Sequence, residues 1–565
     1  MSAKLVTIGD SLTQGFLNGS ISKTHLSYPA MIAECLGDSE FKIPDFSGAG
    51  GLPLNLEALL NHLDSQYGSC LLQANLELQQ LTIGHFVDTV EDYWERGPGT
   101  QPSTTGPLHR NLAVWGFQLP ECDTLSDQIC QQIIPPAEDH QGQQPEFALH
   151  RTARRTLNPS QSTAYESLTQ IDIAQKIADA EGIDNLIFWL GSNHCLDTVV
   201  KLNVEWSTEE TIHQPIHLRT ANLWRPEHFK QALHRVASKV SAIGANNVFV
   251  SNVPHITIPP VSRGVTPGAA PGTGQDADGY FEYYTHFWIW DEEFDPAKHP
   301  HLTRSQVKEI DAVVDEYNQI IQNEAAIWGW HLVDTANVLD RLAFRRQQGK
   351  PRYSFPPELV VALRDNPKTQ NRVLSDGTVL LDTRYLRMEP EAKTPDNLYK
   401  GGLFGLDGLH PTTLGYGLIA HEFLQVMQKV GCEQGNNPVM KPLDWEKIIA
   451  HDSLLTNPPA SLTELRKILA VLFSQPPTME SSETPNTRGL NMSKATPFKA
   501  IASLASPSIT SPSINSGTNN VTNSVTKKRW KKRGPDDQSG SSGDQTGGGE
   551  SNQPQSEENA QQQQS

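Results

Sequence analysis

The chain alternates short runs that are apolar on both faces with helices that are apolar on one, and few folds accommodate that. Phe229, Leu233, Val236 and Val240 recur at helical spacing, Gly244 can stop that helix, and Asn247 to Ser251 (NVFVS) follows. Val307, Ile310, Val314, Tyr317 and Ile321 repeat the pattern ahead of Trp330 to Asp334 (WHLVD). Another helix ends near Gly182, before Asn185 to Leu190 (NLIFWL). A strand with no polar face must be covered on both sides. Strands separated by helices pair in parallel through crossovers. The expectation is an α/β fold: three layers, α/β/α, around a mostly parallel sheet, with large loop insertions. The pattern runs from Leu5 to about residue 435, with insertions at about 51–108 and 255–300.

Within the second insertion, Ser262 to Gly279 is dominated by Gly and Pro, which excludes a helix or a central strand. The aromatic cluster that follows, Tyr280 to Trp290 (YFEYYTHFWIW), suits either a pocket wall or core packing. Arg372 to Leu381 reads as a hairpin turning at Asp376-Gly377. Residues 436–474 are expected to add a small helical extension, with Ser461 and Glu464 as a capping box ahead of Leu465 to Phe473. From about 475 to 565 the composition is Ser, Thr, Asn, Gln, Gly and Pro, too polar to offset its own ordering, and disorder is expected. A basic knot at 527–533 (KKRWKKR) can at most touch an anionic surface weakly.

The formal net charge of -19 argues against a specific nucleic-acid partner. No apolar stretch is long enough to span a bilayer, and the apolar run at Leu5 to Ile8 is too short for a signal peptide. A cytoplasmic location is therefore expected. The six cysteines are scattered, without a C-x-x-C pair, and are read as free thiols.

The chemistry begins at "KLVTIGDSLTQGF", where a strand stops at Gly9-Asp10-Ser11-Leu12. A serine hydroxyl becomes a nucleophile only with a base in reach and a third group to orient that base. Far along the chain, "FGLDGLHPTT" places Asp407 and His410 three apart, just before a helix carrying Ile419, Phe423, Val426 and Val430. Asp407 could hold the imidazole while His410 takes the Ser11 proton. An oxyanion needs N–H donors from loops at the carboxyl ends of strands. The Ser11 backbone, Gly116 in "NLAVWGF" and Asn193 in "WLGSNHC" meet that description. The simpler role for Ser11 or Asn193 is a helix cap.

Taken together, Gly9-Asp10-Ser11-Leu12, Asn111-x-Ala113-x-x-Gly116, Gly191-x-Asn193 and Asp407-x-x-His410 resemble the signature blocks of the SGNH, or GDSL, hydrolase superfamily. The resemblance spans most of the first 410 residues. It implies a flavodoxin-like α/β/α domain and a serine esterase or lipase, with Ser11, His410 and Asp407 as the triad. Ser11, Gly116 and Asn193 would form the oxyanion hole. No metal or organic cofactor is implied. His194 departs from the family, which often has Asp there. Gly50, in Asp45 to Gly50 (DFSGAG), competes with Gly116 for the second block, and Gly116 has the better context. His109, His194, His255, His299 and His301 read as packing or surface histidines. Asp276-x-Asp278-Gly279 lacks the later Glu of a calcium loop, and Gly272-x-Gly274 has no preceding strand to make a dinucleotide site. The substrate expected is a lipid-like or medium-chain acyl ester. The alternatives are a carbohydrate O-acetyl ester or acyl transfer, and, in a different class, an inactive scaffold used for binding.

Overall fold

The computed structural model describes residues 2–464, apart from 49, 69–75, 104–105, 107, 139–141, 345, 348–351, 390–397 and 433–439. The four apolar runs form one parallel sheet: β1 (Ala3–Gly9), β2 (Ile183–Trp189), β3 (Asn247–Ser251) and β4 (His331–Val333), in that spatial order. The register pairs Val6 with Leu186, Ile187 with Phe249 and Val250 with Leu332.

Beyond β1 the backbone at 111–114 adds a short parallel edge. Thr7 N–H donates to Arg110 O at 2.9 Å, Leu112 N–H to Thr7 O at 2.9 Å and Val114 N–H to Gly9 O at 3.1 Å. Counting that segment second along the chain, the edge and the four strands lie in the order 2-1-3-4-5. Its switch point lies between β1 and β2, and their carboxyl ends carry Asp10-Ser11 and Gly191 to Asn193.

Strand alternation divides the interior into two cores. Val6, Ile8, Leu186, Phe188, Val248 and Val250 belong to one. Leu5, Ile187, Trp189, Phe249 and Val333 belong to the other. A short helix, α1 (Ser11–Gln14), follows β1 directly. The second core is closed by α2 (Tyr28–Cys35), a late helix α7 (Thr413–Lys429), and helices Pro357–Asp365 and Trp445–His451. Helices α3 (Ala148–Leu157), α4 (Gln170–Glu181), α5 (Pro226–Ala242) and α6 (Arg304–Trp328) contribute to the first. Their ends follow the sequence signals: Thr169 and Thr303 form capping boxes at the starts of α4 and α6, and Gly329 ends α6 with φ 68°.

The insertions carry secondary structure of their own, the first holding helices Leu56–Tyr67 and Leu76–Glu95. Ser262–Val265, Tyr283–His286 and Leu302–Thr303 pair antiparallel as a small separate sheet. The Gly/Pro-rich stretch thus starts as a strand, outside the central sheet. The aromatic cluster is core packing: Phe281, Tyr284, Phe287 and Trp288 are buried together, and none lines the cavity beside Ser11. The turn at Asp376-Gly377 is present but carries one antiparallel bridge, Val373 to Val379. Past 440, helix Trp445–His451 is tied to α2 by the Lys447–Glu34 ion pair. Ser461 lies in a 3-10 turn, Ala460–Glu464, whose backbone N–H groups donate to Asp64. The helix expected at 465–473, the tail and its basic knot lie outside the described residues, as does Cys70. Cys35, Cys122, Cys130 and Cys195 are buried thiols. Among the described residues no helix is long and apolar enough to cross a membrane.

Candidate active site

The strand-to-helix junction after β1 is tight because Gly9 has no side chain. A Cβ there would lie 2.4 Å from Thr13 Oγ1 and 2.9 Å from Trp189 O. Asp10, not Ser11, caps α1, its carboxylate accepting from Leu12 N–H at 3.1 Å. The Ser11 hydroxyl is therefore released from capping, and it takes no hydrogen-bond partner among the described residues. Neighbouring groups pin the short helix. Thr13 Oγ1 lies 2.9 Å from the Tyr28 hydroxyl, Asn111 Nδ2 donates to Thr13 O at 3.0 Å, and the Tyr416 hydroxyl donates to Phe16 O at 2.6 Å.

Asp407 and His410 reach this junction from far along the chain, Asp407 meeting Gly19 across 388 positions. Asp407 is 1% exposed and His410 2%. One carboxylate oxygen of Asp407 accepts from Leu409 N–H and His410 N–H, both at 2.9 Å. The other accepts from Gly19 N–H at 2.8 Å and lies 3.1 Å from His410 Nδ1. Burial opposes the Asp407 charge, but the imidazole and these N–H donors outweigh it and hold the carboxyl below its ordinary range. With Nδ1–H directed at a carboxylate, Nε2 is left as an acceptor. The Phe16 ring lies 4.5 Å from the imidazole, centre to centre.

Ser11 and His410 line one cavity of about 110 Å³. The rest of its wall is largely apolar, with Leu12, Leu196, Ile256, Leu339, Phe404 and Leu418 prominent. No hydrogen bond joins Ser11 Oγ to His410 Nε2. Such contacts commonly tighten only around substrate.

The proposed oxyanion donors behave differently from one another. Ser11 N–H and Gly116 N–H donate to nothing among the described residues. Gly116 has φ 78°, the left-handed region, and a Cβ there would sit 2.6 Å from Leu149 Cδ1. Asn193 is committed: Nδ2 donates to Phe117 O at 2.8 Å and lies 3.3 Å from Asp10 Oδ2. Asn193 O accepts from Gln118 Nε2 at 2.6 Å. These bonds fasten the Gly116 turn to the Gly191–Asn193 turn, yet neither Gly116 nor Asn193 lines the cavity that Ser11 and His410 share; Ser192 does. Gly50 packs instead against Val90 and Phe86. Buried Asp10 has its pKa raised to about 7, by desolvation first, against the backbone N–H of Leu12.

His194 is a packing residue. Nδ1 lies 3.0 Å from Gly191 O, and Nε2 accepts from Leu119 N–H at 3.3 Å. The ring meets Trp224 edge-on, and burial lowers its pKa to about 3. His109 is likewise buried, 2.9 Å from Thr156 O. His255 is the exception to the packing assignment: it lines the Ser11 cavity, with Nδ1 2.8 Å from Asp340 Oδ1. Burial disfavours its charge, but the Asp340 hydrogen bond and the Asp311 and Asp340 charges prevail and raise its pKa. Its position after β3, in "SNVPHI", was the available sequence signal. Sequence reasoning also missed Arg219, buried, which pairs with Glu121 and donates to Gln118 Oε1 at 2.5 Å, bracing the side chain that holds Asn193.

No family model matches the chain. A comparison with curated proteins finds no match. Among solved structures, a match is the crystal structure of LAE5, an alpha/beta hydrolase enzyme from the metagenome of Lake Arreo, Spain. It is 13% identical, covers 77% of this chain and 99% of that one, and superposes with a TM-score of 0.24, too low to carry an argument.

Proposed function

We propose that the protein is a serine esterase of SGNH/GDSL type, acting on acyl esters. One observation carries the reading: a buried Asp407–His410 pair, 3.1 Å apart, opens onto the same cavity as a serine hydroxyl relieved of any capping duty. In this reading Ser11 Oγ attacks the ester carbonyl carbon while its proton passes to His410 Nε2. Asp407 holds Nδ1–H and offsets the imidazolium charge. The carbonyl oxygen, now an oxyanion, accepts from Ser11 N–H and Gly116 N–H. For Asn193 to add a third donor, its whole planar amide must turn from Phe117 O and Asp10 toward the cavity, which it does not line. Collapse breaks the bond to the alcohol, which takes the proton from His410. Water, deprotonated by the same imidazole, then releases the acid and restores Ser11.

The apolar wall favours a lipid-like or medium-chain acyl group over the acetyl group of a carbohydrate ester. An inactive binding scaffold would leave Ser11 unreactive. A fluorophosphonate probe should label the wild-type chain once and fail to label Ser11→Ala. Labelling that survives the substitution removes Ser11 from the mechanism, and an unlabelled wild type removes the esterase.

A further inference from the structure

A second cavity, of about 50 Å³, is lined by Arg151, Arg154 and Arg155 of α3, with Thr100 and Gln161 opposite. Two of these arginines are neutralised. Arg151 pairs with Glu95 at 3.3 Å, and Arg154 Nε donates to Asp127 at 2.6 Å. Arg155 is not. Its Nε donates to Asp45 O at 2.6 Å, and Nη1 to Gly99 O at 3.3 Å and Gln101 O at 3.2 Å. Carbonyl oxygens satisfy N–H groups without cancelling the charge. The exposed Asp45 carboxylate feels Arg155 but makes no ion pair with it among the described residues. The guanidinium lies over the rings of Phe46 and Trp94, 5.9 and 5.7 Å from their centres. Burial lowers the Arg155 pKa, and the nearby Asp45 charge only partly opposes it.

Cations are favoured in the last turn of a helix. That accounts for arginines at 154 and 155, but not for a hollow left between them and the 99–101 backbone. In a chain of net charge -19 this hollow is a local excess of guanidinium. Planar forks of N–H donors suit tetrahedral oxyanions.

We infer that this cavity binds a phosphate-class anion, either inorganic phosphate or the phosphoryl end of a phosphomonoester, with Arg155 as its principal charge. The Nη2 atoms of Arg154 and Arg155 have no partner among the described residues and are the available donors. The same helix reaches the oxyanion turn with its other residues. Thr152 Oγ1 accepts from Trp115 Nε1 at 2.9 Å, Thr156 Oγ1 accepts from Gln14 Nε2 at 3.2 Å, and Leu149 touches Gly116. The site is separate from the Ser11 cavity, and the inference stands whether or not Ser11 is a nucleophile.

Titration calorimetry on the full chain, at constant ionic strength set with chloride, tests this with inorganic phosphate and with glycerol phosphate. Arg155→Gln is the clean variant because it leaves no carboxylate unpaired. Wild type should bind at least one of the two anions with one-site stoichiometry, Arg155→Gln at least tenfold more weakly, and Arg155→Lys in between. Tighter binding of glycerol phosphate assigns the site to a phosphomonoester, and tighter binding of phosphate to the free anion. Equal affinity of Arg155→Gln and wild type, or no heat above chloride with either anion, overturns the inference. Circular dichroism of each variant establishes that the fold is retained.

Discussion

Asp407→Asn separates a positioning carboxylate from a merely structural one, and the geometry sets what each would cost. Four N–H groups converge on Asp407: three backbone donors, Gly19, Leu409 and His410, and the ring Nδ1 of His410. An asparagine has one oxygen to offer. Placed toward Gly19 and the ring, it abandons two rigid backbone donors. Placed toward Leu409 and His410 N–H, it abandons only Gly19, because the imidazole can change tautomer and accept from the new amide. The second orientation wins. One buried donor without an acceptor costs about 1–3 kcal/mol, tolerable against the roughly 5–15 kcal/mol of a typical domain. The variant should therefore fold. The tautomer change puts the ring proton on Nε2, where it can no longer accept from Ser11, and kcat should fall by about 10⁴-fold. Hydrolysis of p-nitrophenyl butyrate, with a urea melt on the same preparation, reads both quantities. A folded variant retaining kcat within about tenfold of wild type would refute the triad. The depressed carboxyl stabilises the fold at neutral pH, and that contribution disappears as pH falls through the native value, below about pH 4. Asp407→Asn should flatten the acid limb of the stability curve.

Asn193→Ala should lower kcat by about 10²–10³-fold with KM little changed if the amide reaches the oxyanion; an unaltered kcat with reduced stability would assign Asn193 to clasping the two turns. Asp10 has the opposite linkage to Asp407. Its carboxyl is raised to about 7 from 3.8, so it favours the native state when protonated and penalises it as pH rises from about 4 to 7. A rise of that size corresponds to roughly 4 kcal/mol. Asp10→Asn should remove that downward slope between pH 4 and 7 in denaturant titrations, and an unchanged slope would show that Asp10 is not the group responsible.

The layered α/β fold was legible because its signal is local. NLIFWL, NVFVS and WHLVD carry their double-sided burial in their own composition, and the helices before them carry a 3.6-residue repeat. The loop positions of Ser11 and Asn193 followed from where those runs stop. Cavity membership was not legible. His255 and His194 are both histidines in loops after buried strands, yet one lines the Ser11 cavity while the other plugs the space beneath Trp224. The aromatic cluster illustrates the same limit: a strand pairing with Ser262–Val265 turned its rings into core, and nothing within YFEYYTHFWIW specifies that partner.

By itself the sequence determined the alternation of elements, the serine at the end of β1 and an Asp-x-x-His loop ahead of a helix, since each depends on neighbours within a few residues. Only the tertiary structure decided that Asp407 meets Gly19, that Asp10 rather than Ser11 takes the cap, that Asn193 spends its amide on Phe117, and that three arginines close around a hollow. Most of those contacts join residues tens to hundreds of positions apart. Their energies depend on distances of a few ångströms set by the packing of the whole sheet, which no local period records.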